Sequence, residues 1–86
     1  MREVIYEDAV SGSIDAAAAE FPRIHDVMAG LEWRIRHKPE DAVSRNKFFI
    51  YRQEGFPRLN IPDIVVLYRY EGEAVNIVAI HIEKSG

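Results

Sequence analysis

Two apolar stretches on either side of a glycine turn constrain this chain most. Ile64-Val65-Val66-Leu67-Tyr68-Arg69-Tyr70 and Val75-Asn76-Ile77-Val78-Ala79-Ile80-His81-Ile82 are separated by Glu71-Gly72-Glu73-Ala74. β-Branched and aromatic runs joined by a short turn with one glycine predict a β-hairpin. Both stretches are apolar on both faces, so they are expected inside a sheet, covered by helices on one side and by something else on the other. From Lys47 onward, Phe48-Phe49-Ile50-Tyr51 reads as a further strand, ended by Glu54-Gly55-Phe56-Pro57. Val4-Ile5-Tyr6 reads as a short first strand joining the same sheet.

Between these strands the period changes to that of a helix. Phe21, Ile24, Met28, Leu31 and Ile35 step by 3, 4, 3 and 4 and form one apolar stripe. Glu32 and Arg36 stand at i, i+4 in the favourable order, and Lys38-Pro39 marks the end. An earlier helix is expected over Ile14 to Glu20, with Ser11-Gly12-Ser13 as a turn and Ser13 as its cap. Pro22 separates the two, because proline belongs in a first turn, which places the second start near Phe21. Residues 39–46 read as a polar connection. The expected class is α+β, in the order β-α-α-β-β-β, with two N-terminal helices packed on a mainly antiparallel four-stranded sheet.

Eighty-six residues, 48% of them hydrophobic, suffice for one core and imply a single domain over 1–86. The longest apolar run, Ile64 to Tyr68, is too short for a membrane helix. The first eight residues carry three acids and no apolar segment, which argues against a signal peptide and for a cytoplasmic protein. With no cysteine, thiol catalysis and thiolate metal sites are excluded. His25 and His37 lie twelve positions apart, too far along a helix to share an ion, so neither a metal nor another cofactor is expected.

The net charge of -3 conceals a polarity along the chain. Residues 1–32 hold seven acids against two cations, residues 33–60 seven cations against three acids, and the rest four acids against two cations. A basic middle between acidic ends can attract phosphate or an acidic partner. Arg34, Arg36 and Lys38 have a second reason for their position, since the C-terminal turn of a helix favours cations.

The element order, together with the hairpin from Val66-Leu67-Tyr68-Arg69-Tyr70 through Glu71-Gly72 to Ile80-His81, resembles the RelE/ParE superfamily of small bacterial toxins. Those chains share this length and order, and their third strand commonly reads Val, Leu, Tyr before an acid-glycine turn and an apolar strand closing in His or Arg. The resemblance implies a toxin, neutralised by an antitoxin, that acts as a ribosome-dependent messenger RNA endonuclease or as a DNA gyrase poison. Two positions depart from the nuclease branch. Val65 stands where those members carry an arginine that grips the scissile phosphate, and Ile82-Glu83-Lys84 replaces their arginine and aromatic group. The sequence pI near 5.5 also differs from their usual basic balance.

RNA cleavage through the 2′-hydroxyl needs a base, cations for the phosphorane and an acid for the leaving oxygen. His81 is the strand histidine placed for proton transfer, and histidine titrates near neutrality. It is expected to share a face with Ala79 and Ile77, and a lone histidine without a visible partner reads first as a partly buried residue at a strand end. Arg58 and Lys84, in a loop and the tail, complete the candidate catalytic set. Lys47, Arg52 and Arg69 are candidate substrate contacts for RNA binding, although strand alternation sets Lys47 and Tyr51 apart from Arg52. Trp33 lies off the apolar stripe. With Arg34 it forms a candidate partner contact, since Trp and Arg are enriched at hot spots, or it covers the first helix. The expected partners are a cognate antitoxin and either ribosome with messenger RNA or DNA gyrase; a homodimer is a further possibility. Three functions follow: a variant messenger RNA endonuclease, a toxin that works by binding, and a non-toxic interaction module.

Overall fold

A computed structural model describes residues 2–86, the side chain of Val43 excepted. The elements are β1 (Glu3–Tyr6), α1 (Asp8–Ala17), α2 (Ile24–His37), β2 (Val43–Arg45), β3 (Phe48–Gln53), β4 (Asp63–Glu71) and β5 (Ala74–Glu83), with single 3-10 turns at Pro39–Asp41 and Pro57–Leu59. The α+β class stands. The sheet has five strands in the order β1-β5-β4-β3-β2, and it is mixed: β1 runs parallel to β5, and the other pairs are antiparallel.

The fifth strand is β2, inside the segment expected to be a polar connection. It pairs Val43 with Ile50 and Arg45 with Phe48. The reversal falls at Asn46 and Lys47, both at positive φ (52° and 68°), the signature of a two-residue hairpin turn whose twist suits the strands. Lys47 therefore belongs to a turn and not to the strand. The β4–β5 reversal is the expected one, with Gly72 at φ 63°.

Helix α1 begins earlier than the Ser-Gly-Ser signal suggests. Val10 and Ile14, four apart, are both buried, and Asp8 occupies the first turn where the helix dipole favours an acid. Burial of that pair outweighs the local preference of Ser11, Gly12 and Ser13, and Ser13 hydrogen-bonds back to the Ala9 carbonyl (2.9 Å) instead of capping. Helix α2 starts at Ile24, leaving Pro22 in the preceding turn, where the Ile24 amide donates to the Phe21 carbonyl (3.0 Å). The apolar stripe is buried along its whole length, from Phe21 at 4% exposure to Leu31 at 0%.

Both helices lie on one face of the sheet. Ile64, Val66 and Tyr68 of β4 and Val75 and Ile77 of β5 meet Ile24, Met28, Leu31 and Ile35 in one core. Polar ties lock the layers: the Tyr6 hydroxyl donates to Glu32 (2.7 Å), and Arg36 donates to the other Glu32 oxygen (2.6 Å). The guanidinium of Arg2 donates to the Tyr70 hydroxyl (3.1 Å) and to the Arg36 carbonyl (3.0 Å), so it occupies an acceptor at the C-terminus of α2. Tyr68 is fully buried and donates to the Pro39 carbonyl.

Burial pushes the Tyr68 phenol up to about 12, and burial with the Glu32 hydrogen bond raises Tyr6 further. Each phenol ionises first in the unfolded chain, so stability holds below pH 10 and is lost as pH rises toward the folded value. Thermal melts between pH 9 and 12 should show a loss of about 2 kcal/mol per tyrosine, and Tyr68→Phe should blunt it. An unchanged alkaline profile in that variant would remove Tyr68 as the cause. Among the described residues no helix is long and apolar enough to cross a membrane.

Candidate functional site

The second face of the sheet is covered by none of the described residues, which corrects the expectation of strands buried on both sides. Strand alternation and register set its rows. Arg45, Phe48 and Arg69 align across β2, β3 and β4, with Asn76 beyond them on β5. The next row is Ile50, Leu67 and Ala79, and the row after it is Arg52, Val65 and His81. Phe48 and Ile50 are 38% and 49% exposed, and Val65 and Leu67 are half-buried among them. The face is an apolar centre held between rows of cations. The Arg69 guanidinium lies 5.7 Å from the Phe48 ring centre and 3.8 Å from Glu71, placing its charge over aromatic carbon.

A β-bulge decides what His81 can do. Leu67 pairs with Ala79 but the next residue, Tyr68, pairs with Ile77, so Val78 is an extra residue in β5. Without it, His81 would share the helix-covered face with buried Ile77. With it, Ile80 and Ile82 turn inward and His81 stands on the open face with Ala79, which corrects the expected grouping with Ile77. The His81 side chain is 71% exposed, and its Nε2 lies 3.6 Å from Glu83. The reading of a partly buried histidine is thereby overturned.

The candidate residues separate into groups. Arg52 and His81 share a row, flanking Val65, with Cα atoms about 10 Å apart as two strand spacings require. Arg69 lies two rows away, and Lys47 lies in the turn beyond it, so the three expected substrate contacts do not converge. Tyr51 faces the helices, where Arg34 donates to its hydroxyl (3.3 Å). Arg58 is exposed on the Pro57–Leu59 turn, and Lys84 lies just past β5, at the same end of the sheet as His81. No hydrogen bond or ion pair joins Arg58, Lys84 and His81 among the described residues.

The loop carrying Arg58 is braced. Phe56 and Ile61 exchange backbone hydrogen bonds (2.9 and 3.1 Å), Asp63 accepts from the Gly55 amide (2.6 Å), and Asn60 donates to the Glu20 carbonyl (2.7 Å). It holds Phe56 and Leu59 half exposed on either side of Arg58, two apolar contacts that the sequence reading missed. Their signal in the sequence is Gly55-Phe56-Pro57, which also marks the end of β3. A Cβ on Gly55 would press on the Ile61 and Pro62 backbone, so glycine is required there.

Trp33 is 60% exposed and stacks on His37 (centroids 4.2 Å apart), at a cavity of about 550 Å³ that Arg34, Lys38 and Tyr51 also line. It does not cover α1. Among the described residues no cluster of histidine and carboxylate groups has metal-binding geometry. Comparison with protein families, characterised proteins and solved structures finds no match.

Proposed function

We propose that this chain is the toxin of a bacterial toxin–antitoxin pair, of RelE/ParE type, acting in the cytoplasm by binding a protein target. Its working surface is the open face of the sheet, which the antitoxin covers when the pair is intact. One observation carries this reading: Ile50 and Leu67 lie uncovered between the row of Arg45, Phe48 and Arg69 on one side and the row of Arg52, Val65 and His81 on the other. An uncovered apolar centre with a charged rim has the composition of a protein interface. An acidic partner suits the cations, and apolar anchors suit the centre.

A second reading has its own support. Arg52 and His81 flank Val65, where the nuclease branch carries arginine, so a cation and a proton carrier stand on one face without a residue between them long enough to obstruct RNA. In a messenger RNA endonuclease, Arg52 would hold the phosphate and His81 would move the proton.

Induction without any partner, with messenger RNA ends mapped by primer extension within minutes, separates the two. Growth arrest with intact messages is the expected result. New cleavages inside translated codons would establish the endonuclease, and His81→Ala should then abolish them. Normal growth would leave a non-toxic interaction module.

A further inference from the structure

The edge of the sheet at β5 is half covered. β1 ends at Tyr6 opposite Ile77, so Val78–Glu83 pairs on one side only, with β4. An open edge presents unpaired N–H and C=O groups to any strand that can reach it. Helix α1 leaves room beside it: Ser13, Ala16 and Ala17 are small, and a groove of about 400 Å³ separates them from Ile80, His81 and Ile82.

We propose that a second copy of this chain occupies this edge, β5 against β5 in antiparallel register, joining two sheets into one. The argument is self-complementarity. Within β5, Ile80 and Ile82 face the helices while His81 and Glu83 face the open side. Antiparallel pairing centred on Ile82 keeps that alternation in both copies. It sets Ile82 against Ile82 on the helix side, and it sets His81 of each copy opposite Glu83 of the other on the open side. Lys84 of one copy then enters the groove that Glu20 lines in the other. A histidine directly across from a carboxylate adds a favourable polar contact to a strand pair, whereas like charges there destabilise it. The dimer leaves the central row of Ile50, Leu67 and Ala79 free and places His81, at the rim of the open face, in its seam.

Sedimentation velocity on the purified chain across a concentration series tests it. The expected result is a reversible dimer, with the amides of Ile80 and Ile82, which alternate away from β4 to the open edge, slow to exchange at high concentration and fast at low concentration. His81→Glu places two acids against two acids and should weaken association about tenfold or more. The double variant His81→Glu/Glu83→Lys sets a carboxylate opposite an ammonium in each pair and should recover the dimer. Unchanged melting temperatures for both variants show that the monomer fold is intact. A chain that stays monomeric throughout overturns the proposal, as does a dimer that His81→Glu leaves equally tight. Protection of these amides only when another protein is bound would assign the edge to a foreign strand and equally overturn it.

Discussion

With the open face as the working surface of the proposed toxin, Leu67→Asp should prevent growth arrest on induction and weaken binding of a target at least 100-fold. Leu67 sits in the central row of the open face, between Ile50 and Ala79, half-buried by side chains of its own face and uncovered from above. A carboxylate there would have to be desolvated at the middle of the interface, where anchor residues cost more than 2 kcal/mol when lost. The monomer should tolerate the change, because the core lies on the other side of β4 in Ile64, Val66 and Tyr68. The measurement is growth after induction, paired with a melting curve. Arrest that persists in a folded Leu67→Asp protein would remove the open face as the working surface.

Leu31→Ala should have the largest effect on stability, about 3–4 kcal/mol. Leu31 is fully buried at the middle of the α2 stripe, in a core of twelve of the described residues. A domain of this size has about 5–10 kcal/mol in total, so the variant should melt close to ambient temperature. Trp33→Ala, two residues along the same helix, should change stability by less than about 1 kcal/mol, because its side chain is 60% exposed and stacks only on His37. Denaturant titration of both variants reads the contrast. A Leu31→Ala loss below about 1 kcal/mol would mean that the core repacks around the gap.

What the sequence made legible was periodic. The α2 stripe from Phe21 to Ile35 and the β4–β5 hairpin follow from spacing alone, because burial of one face selects the helix and a short glycine turn selects the hairpin. Three features escaped that logic. Strand β2 has three residues and gains its identity only from pairing with β3. The start of α1 depends on burial of Val10 and Ile14 against the sheet, a tertiary gain that overrides a local turn signal. The Val78 bulge leaves no mark in composition, yet it turns His81 from the core to the open face. Composition thus identifies which residues carry charge but not which of them share a face. Arg52 and His81 meet only through register across three strands, and Lys47 and Arg69 separate for the same reason.

The parallel pairing of β1 with β5 sets an order of events in folding. Glu3 aligns with Ala74 and Tyr6 with Ile77, contacts about seventy residues apart in the chain. The β4–β5 hairpin can form from contacts close in sequence, but β1, synthesised before it, has no partner until β5 exists. Closing so long a loop comes late and slowly compared with hairpin formation. Chains shortened before Ala74 would expose Val4 and Tyr6 and lose both flanks of the helix layer. Any activity that needs the assembled sheet is thus withheld from incomplete chains.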